Sequence, residues 1–391
     1  MRFETLTPFD AALTTFLAAV EPIEDTETAP IREARGRVLA QEIIAQRDEP
    51  NYRRAAMDGY AVIADDTRGA SVHSPVVLRI GKTTRRGVAS RVHTGSKMPK
   101  KADAVVMVED TDRLGDVVEI SAQVIPSENV GLKGEDVSQG EHIFAPGHHL
   151  RPADIGLLAS LEVGDVIVYR RPEVAIIPTG EELVEKRPAE GEVVETNGLM
   201  NTLLVEEWGA HARYRDIVPD SRELIETALL RDIDADMILT SGGTSVGIRD
   251  LVPQAVRKLG KLLVHGIAIS PAKPTALGLI EHTPIACLPG FPVASLVASH
   301  AFAKPAIYRL GHIKREFELR TSGMLRSKLL GKPGSRTYAR VTIENRYVAP
   351  VNTAPGSGIL SSMTKADGFV IIPENVEGYD EGQQVEVILF E

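Results

Sequence analysis

DMILTSGGTSVGIRD, residues 236–250, is the stretch on which the fold turns. The apolar run Met237-Ile238-Leu239 reads as a buried strand, and Ser241-Gly242-Gly243-Thr244-Ser245-Val246-Gly247 as a loop of small residues at its end. Asp250 follows where a helix should begin. In open α/β sheets, ligands sit beyond the carboxyl ends of the strands. Glycines there let the backbone approach a phosphate, and hydroxyls and backbone N–H groups hold it. A carboxylate beside such a loop can hold a metal that bridges to the phosphate. The competing reading is an ordinary flexible strand-to-helix connection.

On both sides of this stretch the same rhythm repeats. Strands are expected at 174–177, 211–218, 237–240, 262–269, 275–280 and 285–288. Helices are expected at 196–208, 220–231 and 251–259, and from Pro292 to Tyr308. Such alternation implies a largely parallel sheet covered on both faces. Towards the N-terminus, Phe9, Leu13, Phe16, Leu17 and Val20 share a helical face, with Thr7 as cap and Pro8 at the first position. Residues 48 to about 140 change to short β-like runs at 60–63, 75–80, 104–108 and 117–120, and 152–160 turns helical again. From about Gly311 short β runs return, at 338–343, 369–372 and 385–389. Multi-domain α/β plus β is therefore the expected class, and 391 residues suit about two to four domains.

Composition narrows the function. The net charge of −10 argues against broad nucleic-acid binding, which needs a basic face. Local cations and a divalent metal still allow anionic ligands. The single Cys287 excludes an internal disulfide and a cysteine zinc cluster, and in Ile285-Ala286-Cys287-Leu288 it reads as buried filler. No run of about 18 apolar residues suggests a membrane span. The acidic, amphipathic start MRFETLTPFDAALTTFL has no signal-peptide core, so a cytoplasmic protein is expected.

Polar clusters follow several α/β strands: Thr179-Gly180-Glu181-Glu182, Asp220-Ser221, Ser241 to Asp250, Lys273-Pro274 and Pro289-Gly290. Parallel neighbouring strands would bring them to one rim. Glu182, Asp220 and Asp250 can then share Mg²⁺, and Lys273 can meet an oxyanion. Each has a plainer alternative. Asp220 fits a capping box with Glu223, the glutamates suit a helix first turn, and a lone lysine suits the surface. In Ala56-Met57-Asp58-Gly59-Tyr60-Ala61-Val62, Asp58 reads as a turn residue feeding a strand.

Taken together, the strings AMDGYAV, TGSKMPKKADAVVMVED, GEDV, PTGEEL, ETN, TSGGTSVGIRD, PAKPTALG, LPGFPVAS and GSGILSSMTKADGFVIIP resemble, in this order, the molybdopterin molybdenumtransferases of the MoeA type, which include the E domain of gephyrin. The likeness spans nearly the whole chain. It implies an elongated domain from 1–47 and 141–172, an inserted β-rich domain at 48–140, a molybdopterin-binding α/β domain with a parallel sheet at 173–310, and a C-terminal β-barrel domain at 311–391. It also implies a homodimer. The reaction implied takes adenylylated molybdopterin and molybdate or tungstate, needs Mg²⁺ and releases AMP. A molybdopterin adenylyltransferase would act just before it and is a possible partner. Asp58, Asp220, Asp250 and Lys273 would be catalytic. Thr94, Gly180, Ser241, Gly242, Gly243, Ser245, Gly247, Pro274, Pro289, Gly290, Arg340 and Ser357 would bind substrate. Glu182, Asp220 and Asp250 would hold the metal. Asp58 and Thr94 of one subunit would face the α/β rim of the other.

Three positions depart from the family pattern. Ser270 and Gly266 stand where lysines are usual, and Phe291 where asparagine is usual in the Pro289-Gly290-Phe291-Pro292 loop. Arg53 and Arg54 are candidates to restore the missing charge. Two other functions compete: molybdopterin adenylylation, because the α/β fold is shared, and a catalytically weak dimeric scaffold.

Overall fold

The run at 237–241 is buried at every residue because it lies inside a six-stranded sheet. The computed structural model describes residues 5–243, 250–314, 319–351 and 358–390. In order across the sheet the strands are His211–Tyr214, Glu173–Pro178, Met237–Ser241, Thr283–Leu288, Ala276–Ile280 and Lys261–His265. The pleat sends alternate side chains to opposite faces. Val174, Ile176, Met237, Leu239, Ala286 and Leu288 meet one core with Phe9, Phe16, Trp208 and Phe302. Ala175, Ile177, Ile238, Ile285 and Cys287 meet the other with Ile225, Leu229, Val252 and Val256. Both faces are thus covered by helices, and Cys287 is buried filler as expected.

The sheet is less parallel than expected. The first four strands are mutually parallel, but Ala276–Ile280 is antiparallel to both of its neighbours. The expected strand at 262–269 is also two pieces. Gly266, at φ +81°, turns the chain after His265, and Ile269–Ser270 pairs instead with Arg336–Thr337. The rim survives both changes. Ala276 pairs with Cys287, near the carboxyl end of its strand, so the loop 266–275 still falls at that end of the sheet. The N-terminal helix, Phe9–Ala18, has Pro8 rather than Thr7 at its cap. Thr7 is held extended by a bridge to Ile267, with its N–H donating to the Gly266 carbonyl at 3.0 Å.

The tail closes a barrel. Arg336–Glu344, Tyr347–Pro350, Arg320–Leu325, Gln384–Leu389 and Gly368–Ile372 pair in that order, and the last also pairs with the first. Two of these strands, 320–325 and 347–350, were not anticipated.

The chain divides into two compact units. One is Met1–Glu27, Gly36–Val38 and Val168–Glu391; the other is Thr28–Arg35 and Leu39–Ile167. The first 27 residues fall in the same unit as the α/β sheet and the barrel. The second unit holds a six-stranded sheet built from Ala104–Met107, Gly59–Val62, Val88–Val92, Val76–Ile80, Val117–Ile120 and Thr111–Leu114. The helix Pro152–Ser160 lies where expected. Among the described residues no helix is long and apolar enough to cross a membrane.

Candidate functional site

The polar clusters do meet at the carboxyl rim of the α/β sheet. The Thr179 N–H donates to the Ser241 carbonyl at 2.8 Å, Gly180 N–H to Val218 at 3.1 Å, and Gly242 N–H to Leu288 at 3.1 Å. These bonds tie the ends of adjacent strands into one platform. Gly242 sits at φ +101°, and a Cβ there would lie 2.1 Å from the Thr179 carbonyl oxygen. Only glycine fits so close to backbone. Gly242→Ala is expected to destabilise the protein by about 3 kcal/mol or more. Gly290→Ala, whose Cβ would meet only Gly242 Cα at an ordinary 3.6 Å, serves as the near-neutral control. Urea unfolding of the two variants checks this.

Three cavities run along the rim. The first, of about 530 Å³, is lined by Lys273, Lys332 and Arg340 together with Ser270, and no carboxylate lines it among the described residues. The second, of about 500 Å³, is lined by Gly242, Gly243, Asn197, Gly290, Glu182 and Asp220, among others. The third, of about 670 Å³, is lined by five carboxylates (Glu181, Glu182, Glu190, Glu192 and Asp220) and by no cation among the described residues. Pro274, Pro289 and Phe291 border both the first and the second, while Glu182 and Asp220 border both the second and the third. The groove thus changes sign along its length, from cationic to acidic.

Arg340 comes from the barrel strand Arg336–Glu344, and its Nη1 donates to Ser362 Oγ. Burial pulls its guanidinium below the usual arginine value, yet arginine stays charged at neutral pH. Lys273 follows Ala272, which is buried and holds φ +94°, a region that L-residues rarely adopt. Thr275 locks that turn: its N–H and Oγ1 donate to the Ala272 carbonyl at 3.0 and 2.7 Å. The loop presents Lys273 from a backbone fixed on both sides.

At the acidic end, the helix Arg222–Arg231 starts with Ser221, not Asp220, at its N-cap. This corrects the capping reading and leaves the Asp220 side chain on the cleft wall. Asp250 is the N-cap residue of Leu251–Leu259 but makes no side-chain cap bond. It is buried, and desolvation pushes its carboxyl up to about 6. His265 Nε2 lies 3.1 Å from Asp250 Oδ2, and burial pulls that imidazole down. Asp250 Oδ1 is buried without a hydrogen-bond partner among the described residues. The three expected metal ligands are not clustered. Glu182 and Asp220 share the cleft, whereas Asp250 faces His265, and no group of three acidic, histidine or cysteine side chains poised for a metal occurs among the described residues. Two carboxylates still suit Mg²⁺, which keeps several waters and takes phosphate oxygens from its substrate.

Ser245, Gly247 and Ser357 lie outside the described residues. Ser241 is buried and its Oγ is unpartnered among the described residues. The sequence reading gave Asn197 no role, although it falls in the ETN string. Its Nδ2 donates to the Gly290 carbonyl at 2.7 Å, and its buried Oδ1 has no partner among the described residues. Lys332 was missed altogether, because its turn carries no motif. Phe291, 64% exposed, stands at the junction of two cavities.

In the second unit, Asp58 and Thr94 are one pair. The Thr94 N–H and Oγ1 donate to Asp58 Oδ1 at 2.6 and 2.9 Å, and these bonds hold the Asp58 carboxyl below the usual carboxylate range. The carboxylate is exposed. Arg54 pairs with Glu135 at 3.2 Å and Arg53 donates to the Ala102 carbonyl at 3.0 Å, so both guanidinium groups already serve that unit's own structure.

The MoeA N-terminal region (domains I and II) matches residues 7–161, a probable molybdopterin-binding domain matches 175–309, and the MoeA C-terminal region (domain IV) matches 322–390. A putative molybdopterin biosynthesis protein of Methanocaldococcus jannaschii is 39% identical over 92% of this chain and 91% of its own length. The chain belongs to the MoeA family. Another relative, molybdopterin molybdenumtransferase 2 of Mycobacterium tuberculosis, is 32% identical over 92% of this chain and 94% of its own length. Among solved structures, the MoeA molybdopterin biosynthesis protein of Pyrococcus horikoshii matches with a TM-score of 0.86 and 33% identity, covering 99% of this chain and 100% of that one. A MoeA chain therefore carries the groove described above.

Proposed function

We propose that this MoeA chain is a molybdopterin molybdenumtransferase of molybdenum cofactor biosynthesis, acting in the cytoplasm. It inserts molybdate or tungstate into adenylylated molybdopterin with Mg²⁺-dependent release of AMP. The observation that carries this reading is the change of sign along one groove. The substrates need both ends. A tetrahedral dianion seeks cationic donors, while linked phosphates seek backbone donors and a divalent cation held by carboxylates.

In this reading Lys273 and Arg340 bind the oxyanion, and Ser357 completes that pocket. Gly180, Ser241, Gly242, Gly243, Ser245 and Gly247 cradle the phosphates, with Pro274, Pro289 and Gly290 forming the wall between the two ends. Glu182 and Asp220 hold Mg²⁺, while Asp250 Oδ1 is a buried oxygen with no hydrogen-bond partner among the described residues. When bound, Mg²⁺ neutralises phosphate charge as the bond to AMP breaks. Asp250, ionised above about pH 6 yet poorly solvated, is suited to accept a proton from water attacking the phosphorus. Its burial keeps it basic enough to act near neutrality.

The four-part division of the chain and the homodimer belong to the same reading. Asp58, already oriented by Thr94, completes the site from the partner subunit. The deciding assay mixes the protein with adenylylated molybdopterin, Mg²⁺ and molybdate. Molybdate-dependent AMP release is expected. ATP consumption with molybdopterin would instead mark an adenylyltransferase, and neither activity would mark a scaffold. Shared sites also predict complementation. Asp58→Ala and Asp250→Ala chains, each inactive alone, regain about a quarter of wild-type activity on mixing, because random pairing makes half the dimers mixed and each of these holds one intact site of two. No recovery from demonstrated mixed dimers would refute the shared site.

A further inference from the structure

We propose that Lys332 is a third oxyanion-binding residue of the cation-lined cavity, supplying from the barrel a charge that the α/β loop lacks. The inference rests on the reading of that cavity as the molybdate or tungstate end of the groove. Its ligand class is a tetrahedral metal-oxide dianion.

The loop from His265 to Pro274 carries a single lysine, Lys273, and places Ser270 on the cavity wall. Ser270 is in register with Thr337 of the barrel strand Arg336–Glu344. Thr337 Oγ1 in turn accepts the Lys332 N–H at 2.9 Å. One paired residue and one hydrogen bond thus join Ser270 to the Lys332 backbone. Lys332 opens the turn Lys332-Pro333-Gly334-Ser335, closed by the Ser335 N–H donating to the Lys332 carbonyl at 3.0 Å. Proline at the second position and glycine at φ +72° at the third suit a type II turn. The turn is therefore stiff where the lysine stem leaves it. Among the described residues no carboxylate forms an ion pair with Lys332, whereas its neighbour Arg336 is engaged by Asp10 and Glu374. Lys332 lines the same cavity as Lys273 and Arg340. A solvated ammonium on a stiff turn beside a dianion site contributes charge without having been desolvated in advance.

The test measures molybdate affinity by calorimetry at fixed ionic strength in Lys332→Ala, Lys332→Arg and Lys332→Ala with Ser270→Lys, alongside Lys273→Ala. Because Lys332 is exposed, its loss is expected to weaken molybdate binding by roughly five- to tenfold. Lys332→Arg should retain most of the affinity, and Ser270→Lys should restore most of it, since both return a cation to the same wall. AMP affinity should stay within about twofold of wild type, because the nucleotide lies at the other end. Unchanged molybdate affinity in Lys332→Ala, with a clear loss in Lys273→Ala, would overturn the inference alone. Unchanged affinity in both would overturn the oxyanion reading of the cavity itself. Equal losses for molybdate and AMP would show a general structural effect and also reject the proposal. Circular dichroism identifies any misfolded variant, for which Lys332→Gln is the replacement and the same comparison decides.

Discussion

Asp250→Ala is expected to lower AMP release by about 10²–10⁴-fold, the range typical for losing a positioned acid–base group. The variant should remain folded, because Asp250 makes no side-chain cap bond that its helix would lose. Asp250→Asn separates charge from shape. It keeps the size and loses the ionisable oxygen, so it should be nearly as inactive. Its stability should move the other way. The folded-state carboxyl is pushed up to about 6 from an ordinary 3.8, so the folded protein binds this proton more tightly than the unfolded chain does. That contribution is complete below about pH 4 and is lost as pH rises through 6. At pH 7 the ionised, buried carboxylate is a burden, and Asp250→Asn should raise stability by on the order of 1–2 kcal/mol. Urea midpoints at pH 5 and pH 7.5, with AMP release measured on the same preparations, check both halves. A variant that turned over normally would remove Asp250 from the chemistry.

Lys273→Ala or Arg340→Ala should weaken molybdate binding about ten- to a hundredfold, since a hydrogen bond to a charged group contributes roughly 1.5–3 kcal/mol. The two need not behave alike. Arg340 is half-buried and donates to Ser362 Oγ, so its removal costs that buried hydroxyl its donor while leaving its own bond to the Ile359 carbonyl. It should show the larger loss and a small fall in stability. Lys273 rises from the strained Ala272 turn and is replaced at lower structural cost. AMP should bind both variants nearly as it binds wild type. Retained molybdate affinity with weakened AMP binding would mean that the two ends of the groove are exchanged. Ser270→Lys should tighten molybdate binding, because it adds a cation to the same wall.

Much of this was readable from local pattern. Met237 to Leu239 announces a buried strand by its unbroken apolar run, and Gly242 announces a backbone contact that no other residue allows. The strands at 174–177 and 285–288 are similarly plain. Two of the misreadings share one cause, a competing partner far away in sequence, and the third is a local shift of a helix start. Thr7 resembles a cap until Ile267 bridges to it. Residues 262–269 look like one strand until Arg336–Thr337 takes the second half. Asp220 resembles a cap, but the helix starts one residue later.

The site divides in the same way. The carboxylates and the glycine loop follow strand ends, where strand–helix alternation forces them onto one rim, whereas Lys273 reaches that rim because Ala276–Ile280 runs antiparallel to its neighbours. Local spacing cannot say which carboxylates converge, because that depends on how each loop folds back. Glu182 and Asp220 come to share a cleft while Asp250 turns to His265. Nor can it place Arg340 and Lys332 beside Lys273, since a barrel domain about 60 to 70 residues away delivers them. The periodicity of an α/β chain specifies the sheet and its ligand-bearing edge, because continuous apolar strand runs, buried on both faces, alternate with amphipathic helices. The charge of the finished groove is settled only when distant strands pair, because a pairing such as Ser270 with Thr337 is favourable only once both segments have been brought together.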